Sequence, residues 1–164
     1  MPQMAIQDFF KSHLKPDGQI NWPEEVVDRE QLARTIFLLG FVSSKDYWIR
    51  FADDLITCPK PQTPYVRPWS DYAKTDKNYR DLLATLTEEQ RAVVQKLVRH
   101  VVGGALFSSL VSIDQFPRAD VRIELVSTTN APVDFCVQVA PGPEDLHDRF
   151  HELEQEFSDY PGVA

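Results

Sequence analysis

Residues 87–112 read TEEQRAVVQKLVRHVVGGALFSSLVS, and this stretch decides the fold. Thr87 with Gln90 three residues on has the spacing of a capping box, in which each side chain satisfies a backbone N–H that the first helical turn leaves unpaired. Glu88 and Glu89 lie at the positive end of the helix dipole. Behind this start, apolar pairs fall at 93/94, 97/98, 101/102 and 105/106, the helical period sustained over the whole stretch. So wide a stripe predicts a central helix over 87–112, covered on several sides. Gly103 and Gly104 interrupt it at about 1 kcal/mol each relative to alanine. Close approach of another backbone is the expected return, and a kink is the alternative.

Toward the N-terminus, Ile6, Phe9, Phe10 and Leu14 keep helical spacing until Lys15-Pro16-Asp17-Gly18 supplies turn residues. A second helix is predicted from Glu24 or Asp28 to about Val42, with Asp28 and Gln31 as its cap pair and Leu32, Ile36 and Leu39 buried. Ser43 and Ser44 are read as an interruption, with a third helix over 45–56 carrying Trp48, Phe51 and Leu55 on one side. Pro59, Pro61, Pro64 and Pro68 then forbid a helix or central strand and predict an extended, stiff segment. A short helix over 77–86 follows.

Toward the C-terminus the period changes to two. Val121, Ile123 and Leu125 alternate with Arg122 and Glu124, and Val133, Phe135, Val137 and Val139 alternate with Asp134, Cys136 and Gln138. The turn-rich 127–132 between them predicts an antiparallel β-hairpin over about 120–140 with one apolar face. After Pro141-Gly142-Pro143, a last amphipathic helix over 144–157 has one narrow seam: Leu146, Phe150, Leu153 and Phe157. The predicted class is α+β and mostly helical: five or six helices around 87–112, the hairpin, and the final helix, in a single globular domain over 1–164.

Composition narrows the function classes. The chain has 164 residues, 43% hydrophobic and 26% charged, as a folded domain does. Residues 1–113 hold 14 acidic and 14 basic side chains and residues 114–164 hold 11 and 3, so the net charge of −8 resides in the last third. A pI near 4.9 argues against nucleic acid and against an anionic membrane surface. Residues 1–10, MPQMAIQDFF, include Asp8 and no apolar run, so no secretory signal is expected. The apolar-rich stretch over 101–111 is shorter than a bilayer span. A cytoplasmic location is expected, with Cys58 and Cys136 as reduced thiols.

No motif assigns a reaction. Ser108 and Ser109 lack the G-x-S-x-G elbow, Gly103-Gly104 lacks the spacing of a phosphate loop, and neither cysteine has a histidine beside it in sequence. His147 and His151, four apart, share a helix face, and with Glu144 one turn away they can offer three ligands to a zinc-type ion. The adjacent glutamate of the H-E-x-x-H motif is missing. His100 is a candidate base if the fold brings it to Asp114 or Asp46. His13 is placed to meet the last carbonyls of the first helix.

Two surfaces suit a partner. Asp145, Asp148, Glu152, Glu156 and Asp159 form the outer side of the last helix, where they can steer a basic protein. Tyr65, Trp69 and Tyr72 lie on or beside the proline-rich segment as stiff, amphipathic contacts. The expected function is therefore a small non-catalytic protein-binding module, of inhibitor or immunity-like character, without a cofactor, as a monomer or homodimer. The alternatives are a metal-dependent or histidine-based enzyme using His147 and His151 or His100, and a structural subunit whose hairpin edge another chain completes.

Overall fold

A computed structural model describes residues 6–57, 71–115, 121–125, 135–140 and 142–162, with the backbone alone at 71–76, 123–125 and 135–137. Five helices and a two-stranded antiparallel sheet make up the described residues, in the order α1 (Ile6–Ser12), α2 (Val26–Thr57), α3 (Asp71–Thr85), α4 (Glu88–Asp114), β1 (Val121–Leu125), β2 (Phe135–Ala140) and α5 (Leu146–Phe157). The mostly helical α+β architecture with a late hairpin is the one the periodicities predict.

Local chemistry explains several boundaries. The α4 capping box is complete: Thr87 Oγ1 accepts from Gln90 N at 3.3 Å and Gln90 Oε1 from Thr87 N at 2.9 Å. After α1 the chain turns through Gly18, whose φ of 82° lies in the left-handed region that glycine enters at no steric cost. Asp17 Oδ1 accepts from Gln19 N, and Leu14 and Ile20 close the turn as an antiparallel bridge. In the hairpin, Val121 faces Ala140 and Arg122 faces Gln138, with an irregularity between those two pairs, and the register then runs evenly to Leu125 opposite Phe135. The proline-rich 59–68 and the hairpin turn 127–132 lie outside the described residues.

Two predicted helices are corrected: α3 begins at Asp71 rather than at Lys77, and α2 is a single helix of 32 residues that runs through Ser43 and Ser44. A mid-helix serine costs about half a kcal/mol. Val42 and Ile49, on either side of the pair, are 0% and 1% exposed. Each such burial contributes about 1.5–3 kcal/mol, so tertiary packing outweighs the local preference. Its start also differs, because Asp28 sits inside the first turn and Val26 begins the helix.

The core gathers Leu38, Leu39 and Val42 of α2, Leu110 of α4, Val139 and Ala140 of β2, and the predicted α5 seam of Leu146, Phe150, Leu153 and Phe157. From α1, Ile6 and Phe9 pack against it, the Phe9 ring meeting Phe157 edge to face at 5.7 Å. Among the described residues, α2 has ten buried side chains in all, from Leu32 to Ile56. Although α4 touches both α2 and α5, among the described residues it contributes only Leu110 as a fully buried side chain. The broad apolar stripe of α4 is not the covered interior surface its width predicts.

Candidate functional site

The last turn of α4 and the first turn of α5 build a compact polar centre. Asp145 is the N-cap residue of α5 but makes no side-chain cap bond. Asp114, from α4, does that work instead: Oδ1 accepts from Leu146 N at 3.0 Å and Oδ2 from His147 N at 3.1 Å. The same Oδ2 lies 2.7 Å from His147 Nδ1. The Asp114 side chain is 6% exposed and His147 20%. The hydrogen bond to Asp114 raises the imidazole above its ordinary range despite partial burial, and the charges of Asp148, Asp114 and Asp145 act in the same direction.

With Nδ1 held by Asp114, Nε2 turns outward and stands 3.6 Å from Asp148 Oδ1. Donor atoms of Asp145, His147 and Asp148 all lie within 4.8 Å of one another. Chemically, this set can offer one nitrogen and two oxygens to a divalent cation, with Asp114 behind the ring in the place a supporting carboxylate takes in histidine–metal sites.

The predicted metal trio of His147, His151 and Glu144 is thus arranged differently. His147 joins Asp145 and Asp148, His151 Nδ1 lies 3.6 Å from Glu154 Oε2, and the Glu144 carbonyl accepts from Arg34 Nη2 at 2.7 Å. His100 is exposed, while Asp114 is engaged with His147 and Asp46 with Ser158. His13 Nδ1 meets the Phe9 carbonyl at 2.8 Å, as the sequence predicts. Tyr65, Trp69 and Cys58 lie outside the described residues, as do the side chains of Tyr72 and Cys136.

The acidic outer side of α5 is partly neutralised by its own chain. Glu152 pairs with Arg149 one turn before it, and Asp159 with Arg50 of α2 at 2.5 Å. Asp145, Asp148 and Glu156 are exposed.

Two further features went unread in the sequence. Lys45 is 1% exposed, and its Nζ donates to Glu154 Oε1 and to the Tyr160 carbonyl, each at 2.5 Å, with Asp46 Oδ1 at 3.7 Å. Asp46 in turn accepts from the Ser158 hydroxyl at 2.6 Å and from Asp159 N at 2.8 Å, so the network clamps 158–160 onto α2. The signal was available: 42, 45, 46 and 49 follow i, i+3, i+4, i+7, which places the charged pair on the apolar face.

The second feature is an apolar stripe in water. Val93, Leu97 and Val101 of α4 are 65%, 59% and 57% exposed, and Phe107 is 41% exposed. At about 100° per residue all four fall within about 120° of arc. The Phe107 ring stands edge-on to His147 at 5.3 Å, which joins the stripe to the acidic first turn of α5. Among the described residues, α4 alone has the length and apolar composition to cross a bilayer, and little of that stretch is buried. Arg99 nevertheless ties it sideways to the rest of the chain, through Asp53 of α2 at 2.7 Å and over the Tyr160 ring at 5.0 Å. Compared with known proteins, the chain matches no family model, no curated protein and no solved structure.

Proposed function

We propose that the protein is a non-catalytic binding module that holds a basic protein, with the α4 stripe as its contact and the first turn of α5 as its acidic edge. The supporting observation is the row Val93, Leu97, Val101, more than half exposed at each position and continued by Phe107 to His147, Asp145 and Asp148. Single exposed apolar residues are ordinary, but a contiguous row rimmed by charge marks an interaction surface. Covering a valine or leucine contributes about 1.5–3 kcal/mol when burial is complete, so this row can supply the affinity while the acids steer the approach. The partner's chemistry follows from the acidic end of the row at Asp145 and Asp148: lysine- or arginine-rich beside an apolar centre.

The test compares tagged wild type with Leu97→Asp/Val101→Asp in native lysate at low salt. The reading expects one stoichiometric basic protein on the wild type, released by salt and missing from the variant. An acidic partner, a partner the variant retains, or wild type that co-floats with phosphatidylcholine vesicles would each overturn it.

A second reading, divalent-metal binding at Asp145, His147 and Asp148, is favoured by the buried carboxylate of Asp114 behind the imidazole. Two ligands about 2.1 Å from a tetrahedral zinc stand about 3.4 Å apart, close to the 3.6 Å between His147 Nε2 and Asp148 Oδ1. Saturable zinc binding lost in His147→Ala supports this reading, and zinc binding equal in wild type and His147→Ala refutes it.

A further inference from the structure

A different region, away from the α4 stripe, holds a cavity of about 340 Å³ between the first half of α2, the end of β2 and the residues leading into α5. That volume is at the small end of the range for ligand sites, about 300–1,000 Å³. Four charged side chains line it: Glu30 and Arg34 from α2, Glu144 before α5, and Arg149 on α5. Val27 and Pro143 add apolar surface.

The Arg34 guanidinium lies against Gly142. A Cβ built on Gly142 would stand 2.0 Å from its Nη1 and 2.1 Å from both Cζ and Nη2. Near-equal distances to three atoms of the group mean that the guanidinium lies with its face against Gly142, in space only glycine leaves open. The Glu144 carbonyl accepts from Nη2 at 2.7 Å and holds the other end. A guanidinium has five N–H donors in a rigid fork, and among the described residues only this bond engages the Arg34 group. The other four donors of the fork are left for a ligand.

Two guanidinium groups and two carboxylates line one small cavity. A polyanion such as phosphate would face Glu30 and Glu144, and a simple cation would face Arg34 and Arg149. A molecule with both charges and an apolar body meets Arg34 and the two carboxylates together with Val27 and Pro143. We infer that this cleft binds a free apolar α-amino acid, its carboxylate on the Arg34 fork and its ammonium toward Glu30 and Glu144, while Arg149, already paired with Glu152, lines the wall.

Isothermal titration of the full chain with alanine, valine, leucine and phenylalanine tests this directly. At least one should bind saturably, and its N-acetyl and amide derivatives, each lacking one charge, should not. Arg34→Gln should weaken binding by about ten- to a hundredfold, the loss of charge-assisted hydrogen bonds, with the circular dichroism spectrum unchanged. Gly142→Ala, which displaces the guanidinium, should do the same. Three results would overturn the inference: no saturable heat with any of the four up to about 10 mM, binding of the N-acetyl derivative or inorganic phosphate as tightly as the amino acid, or full affinity in Arg34→Gln.

Discussion

Lys45 and Glu154, 109 residues apart in sequence, meet at 2.5 Å with side chains 1% and 8% exposed. Removing Glu154 leaves the buried Lys45 ammonium with the Tyr160 carbonyl and Asp46 at 3.7 Å, so the cost should fall near the lower end of the about 3–5 kcal/mol for breaking a buried pair. Domains are stable by only about 5–15 kcal/mol, so Glu154→Ala should remove a fifth or more of the total. Urea unfolding should show a lower midpoint at constant slope. In Lys45→Met/Glu154→Leu this pair vanishes together while Asp46 keeps its bonds from the Ser158 hydroxyl and Asp159 N, and most of the loss should be recovered. A Glu154→Ala cost below about 1 kcal/mol would mean that solvent reaches the pair.

Asp114 caps α5 from another helix, so its removal should detach α5 from α4 rather than fray one end. Asp114→Ala should cost about 2 kcal/mol, the upper end for a cap residue, because two backbone donors and an imidazole lose their acceptor together. Asp114→Asn keeps one acceptor oxygen and should cost about half as much. Hydrogen exchange should quicken first at Leu146 and His147, whose amides donate to this carboxylate.

The legible parts of the fold were those set by neighbours in sequence. Thr87 and Gln90 act within one turn, the α5 seam recurs every third or fourth residue, and the hairpin strands alternate, so each could be read without the tertiary structure. The continuity of α2 could not, because the small preference of Ser43 and Ser44 against helix is decided by burial at Val42 and Ile49. The exposure of α4 was hidden for a related reason: periodicity gives the width of an apolar face and not what lies across from it. His147 was legible as a site residue from its spacing, but Asp114 was not, since 33 residues separate them.

The His147 imidazole is raised, so the sign of its pH effect follows. The folded state binds this proton more tightly than the unfolded chain, whose histidine titrates near the ordinary value of 6.5. The stabilisation is complete below that value and is lost as pH rises from it through the higher folded-state pKa. Asp114 of α4 and Asp145 and Asp148 of α5 are the charged groups facing the ring, and Phe107 adds none. Thermal midpoints should therefore fall across this window in wild type and change less in His147→Gln. A histidine NMR titration should place the His147 midpoint above 6.5.

Stability and partner binding should separate on α4. Leu110→Ala deletes a 0% exposed core side chain and should cost about 2–5 kcal/mol. Leu97→Asp changes a side chain 59% exposed and should move stability by no more than about 0.5 kcal/mol while removing partner capture. Equal destabilisation by the two would mean that Leu97 is covered within the chain.

The glycine pair of α4 offers the sharpest separation. A Cβ built on Gly103 or Gly104 meets nothing within 4 Å among the described residues, so neither glycine serves a close approach inside the chain. Each still costs the helix about 0.5–1 kcal/mol relative to alanine. Gly103→Ala and Gly104→Ala should therefore each stabilise the isolated protein by about that amount, raising the thermal midpoint. Helical geometry places Gly104 between Leu97 and Val93 in azimuth, in the middle of the exposed stripe, and Gly103 to one side of it. If a partner helix seats on this stripe, a methyl group at Gly104 holds it away. Gly104→Ala should then stabilise the free chain and weaken capture of the basic partner, whereas Gly103→Ala should stabilise the chain and leave capture nearly intact. Loss of stability in the isolated Gly104→Ala protein would show instead that the chain itself covers this face.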